Sequence, residues 1–202
     1  MRMQFPFAPA VPALILAAMT LSLPTHGEET HRELGAHVHG HGTLNMAVEE
    51  KRVSMELEVP GMDIVGFEHA ASTEEQKAAV EKAKAQLAKP LALFALPPQA
   101  GCAVAEASVA VEAEQHDDDH DAGDKEDAKA EHDHEEAAGH NQFHATYALD
   151  CTRPAELTAI TFDYFKLFAG AHELTVNVVT AKGQSKYEVS RDKPMLDLDG
   201  IM

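Results

Sequence analysis

Cations, cysteines and long apolar runs are all scarce in this chain. Of 202 residues only 16 are Lys or Arg against 34 Asp or Glu, a net charge of −18. Nucleic acid and anionic membrane surfaces repel a chain of that sign, which leaves cations as the partners its field attracts. No apolar run reaches the roughly 20 residues that a membrane-spanning helix needs. The best one, from about Val11 to Leu23, is shorter and holds Pro12. Cysteine occurs twice, at Cys102 and Cys151, without a CxxC neighbour or an adjacent histidine. That disfavours a thiolate metal site or a redox motif. In an exported protein an even pair reads as a disulfide; closing the loop between Cys102 and Cys151 is worth about 4 kcal/mol in the chain-entropy picture. Also missing are an HExxH element, a phosphate-cradling glycine loop and a nucleophile motif. Glu68 is the one imaginable general base, and no spacing ties it to a histidine cluster, so the chain reads as a binding protein and not an enzyme. The methionines form no cluster of the kind that favours Cu(I).

Histidine is what the chain has in abundance, and the positions matter more than the number. His37, His39 and His41 fall on alternate residues in HVHGHGTL. His116, His120, His132, His134 and His140 lie in residues 115–140, a stretch with eleven Asp or Glu, two Lys and no Val, Leu, Ile or aromatic residue. His144 follows directly. Imidazole is the commonest protein ligand for borderline divalent metals, so both clusters point to Zn2+ binding. On an extended strand, residues 37, 39 and 41 share one face about 6–7 Å apart, from where their rings can converge on one ion. Gly40 and Gly42 leave room for the rings and let the backbone bend. His116 with His120, and His132 with His134, are further chelating pairs. The acidic stretch cannot bury enough apolar surface to order itself, so it is expected to be disordered until it meets a metal. His69 and His172, beside apolar neighbours, read as structural histidines.

Four regions emerge. Residues 1–27 have the charge, apolar core and small-residue ending of a signal peptide, so the mature chain is expected in the periplasm. Residues 28–36 form a polar leader. Residues 37–202 form one domain, with 115–140 inserted as a flexible loop. Alternating patterns mark strands at 44–48, 53–59, 103–113, 143–151, 157–165, 172–180 and 185–190. Residues 91–96 suit either a strand or a helical continuation. A helix starts at Thr73, where Gln76 completes a capping box, and stops at Pro90. The expected fold is α+β: a mostly antiparallel sheet with one main covering helix, and the insert joins two neighbouring strands clamped by the disulfide.

Taken together, HVHGHGTLNMAVE, VPGMDIVGFEHAASTEEQ, GCAVAEA, the His/Asp-rich insert, HNQFHATYALDC and FDYFKLFAGAHELTVNVVTAKGQ resemble the ZrgA-type periplasmic zinc-uptake proteins of Gram-negative bacteria. The resemblance covers about residues 36–190. It implies a periplasmic Zn2+-binding protein working beside an ABC-type zinc importer. It also implies that His37, His39 and His41 form the amino-terminal motif, and that His116, His120, His132, His134 and His140 form the variable histidine-rich region. The chain departs from the pattern at Ala71 and Ala169, where the family commonly carries Pro; neither position is a candidate ligand. Two other readings suit the same residues. One is a Zn, Cu or Ni buffer without a transporter, which metal excess would induce where zinc starvation induces an uptake protein. The other is a metal-dependent hydrolase, which chelation would inactivate.

Overall fold

The two alternating segments after the histidine-rich opening pair as a hairpin, β1 (His41–Glu49) and β2 (Arg52–Pro60). These and all later elements come from a computed structural model that describes residues 38–113 and 140–202. The signal segment, the leader, His37 and the insert histidines His116, His120, His132 and His134 lie outside the described residues.

After β2 come α1 (Gly61–Val65), α2 (Glu74–Leu87), α3 (Pro90–Leu93), β3 (Phe94–Ala95) and β4 (Cys102–Ala113). The second half holds β5 (Asn141–Cys151), β6 (Ala159–Phe162), α4 (Tyr164–Leu167), β7 (Glu173–Thr180), β8 (Gly183–Ser190) and β9 (Met195–Asp197). Six strands form one sheet in the order β4-β5-β2-β1-β7-β8, and the short strands form a second in the order β3-β6-β9. The α+β class is as expected, with two additions. The pairing of β1 with β7 is parallel, which makes the larger sheet mixed. The strand expected at 157–165 forms only over β6 and gives way to α4, and its pairing with β3 and β9 in a second sheet was not foreseen, because alternation does not show which strands become neighbours. Residues 91–96 turn out to be both things at once, with α3 running straight into β3.

The core lies on one face of the large sheet. Leu44, Val53, Leu57, Val59, Ala145, Leu149, Leu174 and Val176 are fully buried there. Over them pack α2, through Ala83 and Leu87, and an aromatic group in which Phe94 meets Phe162, Tyr164 and Tyr147. The capping box on α2 is complete: Thr73 Oγ1 accepts from the Gln76 amide and the Gln76 side chain accepts from the Thr73 amide. Tyr147 donates to the Leu87 carbonyl at 2.9 Å, tying the end of α2 to β5.

Cys102 and Cys151 are bonded and stand directly opposite each other in the β4–β5 pair. The same pair ends at Ala113 opposite Asn141, so residues 114–139 leave and re-enter at neighbouring positions. The disulfide therefore closes the far end of this hairpin, roughly 35 Å along the strands from the insert's attachment. It holds the strand register and does not clamp the insert itself.

Candidate metal centre

Gly40 decides where the first histidine stretch goes. Its φ of +83° lies in the left-handed region, and the His41 amide donates back to the Val38 carbonyl at 3.0 Å, closing a turn. A Cβ at this position would lie 2.8 Å from the His172 ring, so only glycine fits. The Gly40 amide donates to Asp63 Oδ1 at 2.7 Å, and its carbonyl accepts from His172 and Glu173 at 2.9 and 2.8 Å. The expected extended run through 37, 39 and 41 is thus broken. Strand geometry begins only at His41, and the turn sends His39 and His41 to different partners.

His39 goes to the end of the sheet. Its Nε2 lies 2.6 Å from Glu68 Oε1, while His140 Nδ1 lies 2.7 Å from the other oxygen, Oε2. Glu68 is 12% exposed at its side chain, whereas the two imidazoles are about half exposed. The segment carrying Glu68 is held against the start of β5: its carbonyl accepts from the Asn141 amide, and Asn141 Nδ2 donates to the His69 carbonyl, both at 2.6 Å. One carboxylate therefore gathers an imidazole from each histidine-rich stretch. His140 is the last residue of the insert, so a group that looks dispersed in sequence converges at one point.

Asp63 lies beneath this group and is 3% exposed. Its Oδ2 has no hydrogen-bond partner. Burial raises its pKa above the ordinary 3.8; the Gly40 amide, His39 and His172 pull the other way, and Glu68 adds to the rise. Two carboxylates beside a pair of imidazoles form a negatively biased site with borderline nitrogen donors, which is the donor chemistry Zn2+ prefers.

Two more groups sit on the polar face of the sheet. His41 Nδ1 lies 3.3 Å from Glu173, and its Nε2 lies 3.8 Å from Glu188. Thr175 donates to both Glu188 oxygens at 3.0 and 3.2 Å, and Lys186 reaches Glu188 at 3.3 Å. Across the sheet, His144 Nε2 lies 2.8 Å from Glu56 Oε1. In each of the sets His41–Glu173–Glu188 and His144–Glu56–Glu58, one ligand atom per residue lies within 4.8 Å of the others. Four of the nine candidate histidines, His39, His41, His140 and His144, are thus described, and each has a carboxylate partner. His69 stacks on Phe67 and contacts Gln76 at the start of α2, and the His172 ring lies close to Gly40; both histidines are exposed. No local pattern marked Glu68, Glu173, Glu188, Glu56 or Glu58 as ligand partners, because each meets its histidine through a turn or a strand register.

A mixed sheet with one buried face, and with histidine–carboxylate groups of metal-ligating type on its other face and at its end, defines a metal-handling α+β protein. The chain belongs to the ZrgA family of zinc uptake proteins, whose family model matches residues 36–198. That match takes in both cysteines and all three histidine–carboxylate groups, and it gives the chain a zinc-related uptake role. Among curated proteins none matches the chain.

Proposed function

We propose that this is a periplasmic Zn2+-binding protein that captures the ion with His39, Glu68 and His140 and supplies it to an inner-membrane ABC-type zinc importer. The observation that carries the reading is the Glu68 carboxylate, with one imidazole 2.6 Å from one oxygen and another 2.7 Å from the second. The two imidazoles meet opposite oxygens of Glu68 and are about half exposed, so they have room to swing toward one divalent ion shared with the carboxylate. Three protein ligands leave a fourth position for water, another histidine such as His37, or a ligand on the receiving protein. Binding releases protons, so uptake weakens in acid.

The insert suits gathering. Its His116, His120, His132 and His134 stand among carboxylates that concentrate divalent cations, and its end delivers His140 to Glu68. Capture that must order a chain segment is weaker and faster-exchanging than a preformed site, which favours handover over storage. The reading is of a binding protein, not of an enzyme. Export is supported by the leader-like residues 1–27 and by the disulfide.

The test is a calorimetric titration of the mature chain with Zn2+, repeated with E68Q and with H39A/H140A. The tightest binding step should disappear in both variants. An unchanged first step would overturn the capture site. Recovery of the chain from the periplasmic fraction with its first 27 residues removed tests the location.

A further inference from the structure

We infer that the polar face of the six-stranded sheet carries a second divalent-cation site, built by His144 of β5 with Glu56 and Glu58 of β2. The inference rests on the reading that this chain handles Zn2+, and it concerns a site separate from the Glu68 group.

The three side chains are brought together by register alone. Glu58 stands directly opposite His144, and Glu56 stands opposite Thr146, two residues along. Directly opposed residues have Cβ atoms about 5 Å apart and diagonal ones about 7–8 Å, so all three reach a common point above the sheet. The His144 nitrogen already lies 2.8 Å from Glu56, and one ligand atom from each residue fits within 4.8 Å. A tetrahedral ion with bonds of about 2.0–2.2 Å holds its ligand atoms roughly 3.3–3.6 Å apart. Small rotations of the glutamates close that difference.

Charge argues the same way. Glu56 and Glu58, on alternate positions of one strand face, bring carboxylate oxygens within 4.8 Å of each other, where like charges repel. An ion between them converts that repulsion into attraction, and His144 supplies the nitrogen that favours a borderline cation over Ca2+ or Mg2+. The support is also stiff: β2 is hydrogen-bonded on both sides, by β1 and β5, and β5 on both sides, by β2 and β4. The His41 group is less suited, because Glu188 lies on the edge strand β8. Beside His144 on β4 stands Ala110, a small side chain. With His144 26% and Glu56 36% exposed at their side chains, water completes the coordination and the ion exchanges readily. One nitrogen and two carboxylates make a Zn2+ site weaker than the Glu68 group. It lies roughly 13 Å further along β5 from His140.

The test follows the histidine side-chain 15N signals of the full mature chain during Zn2+ titration. In the H39A/H140A background the His144 Nε2 signal should move from the free to the metal-bound position. Adding E56Q/E58Q should raise the Zn2+ concentration needed at least tenfold, with the amide spectrum unchanged. Should that double change unfold the chain, H144Q takes its place and should remove one bound Zn2+ from the same background. A His144 signal unmoved at saturating Zn2+, a shift insensitive to E56Q/E58Q, or an unchanged stoichiometry in H144Q would overturn the site. Failure of the Glu68 site reads out separately, as unmoved His39 and His140 signals in the intact chain.

Discussion

On β2, Val53, Met55, Leu57 and Val59 face the core, while Glu56 and Glu58 between them face outward beside His144. One strand therefore does two jobs, and adjacent residues do unrelated ones. The inward set is apolar, close-packed and indifferent to metal. The outward set on the sheet is charged and partly exposed, and adds little to folding, since exposed ion pairs contribute about 0.2–1 kcal/mol each. The contrast teaches that stability and metal chemistry in this molecule are separable: a change on one side should leave the other largely alone.

The largest effect should come from the covalent clamp. Replacing Cys102 and Cys151 together by Ala is expected to lower unfolding stability by about 4 kcal/mol. Because the disulfide sits at the far end of the β4–β5 pair from His140, Zn2+ stoichiometry should persist wherever the chain is folded. Urea unfolding with parallel metal analysis checks both halves. Next comes Leu57→Ala, which empties a fully buried position and should cost roughly 3 kcal/mol, again with unaltered Zn2+ affinity. A comparable loss of affinity in either variant would break the separation.

On the other side, Glu68→Gln should weaken the tightest Zn2+ site at least tenfold, or about 1.4 kcal/mol, in competition with a chromophoric chelator. Its metal-free unfolding should remain a single cooperative transition, since the amide keeps an oxygen to accept from the imidazoles. The smallest effect sharpens the boundary at Asp63, which is buried like a core residue and charged like a site residue. Its raised pKa means that the folded chain holds the proton more tightly than the unfolded one. The stability this brings is full below 3.8 and is lost as pH rises through the higher folded value. Asp63→Asn keeps an acceptor for the Gly40 amide and should flatten that decline in metal-free protein. Stability curves of equal slope from pH 4 to 7 would sink this account.

Much of the fold was legible beforehand. Alternation marked β1, β2, β4, β5, β7 and β8, the capping box marked α2, and the cysteine pair marked the disulfide, because each signal is local. The parallel β1–β7 pairing was not, since alternation tells which face a residue takes and not which strand lies beside it. The candidate site was half legible. His39, His41, His140 and His144 stood out by residue type, whereas their carboxylate partners did not.

The amino-acid order by itself determined that imidazoles would be plentiful, clustered and surrounded by negative charge, and that a β-rich core would form, because composition and short-range periodicity carry those properties. Only the tertiary structure decided which histidine meets which glutamate. The left-handed turn at Gly40 separates His39 from His41, and strand register sets His144 opposite Glu58. Convergence of residues 29 and 72 positions from Glu68 is a matter of packing, and no local pattern encodes it.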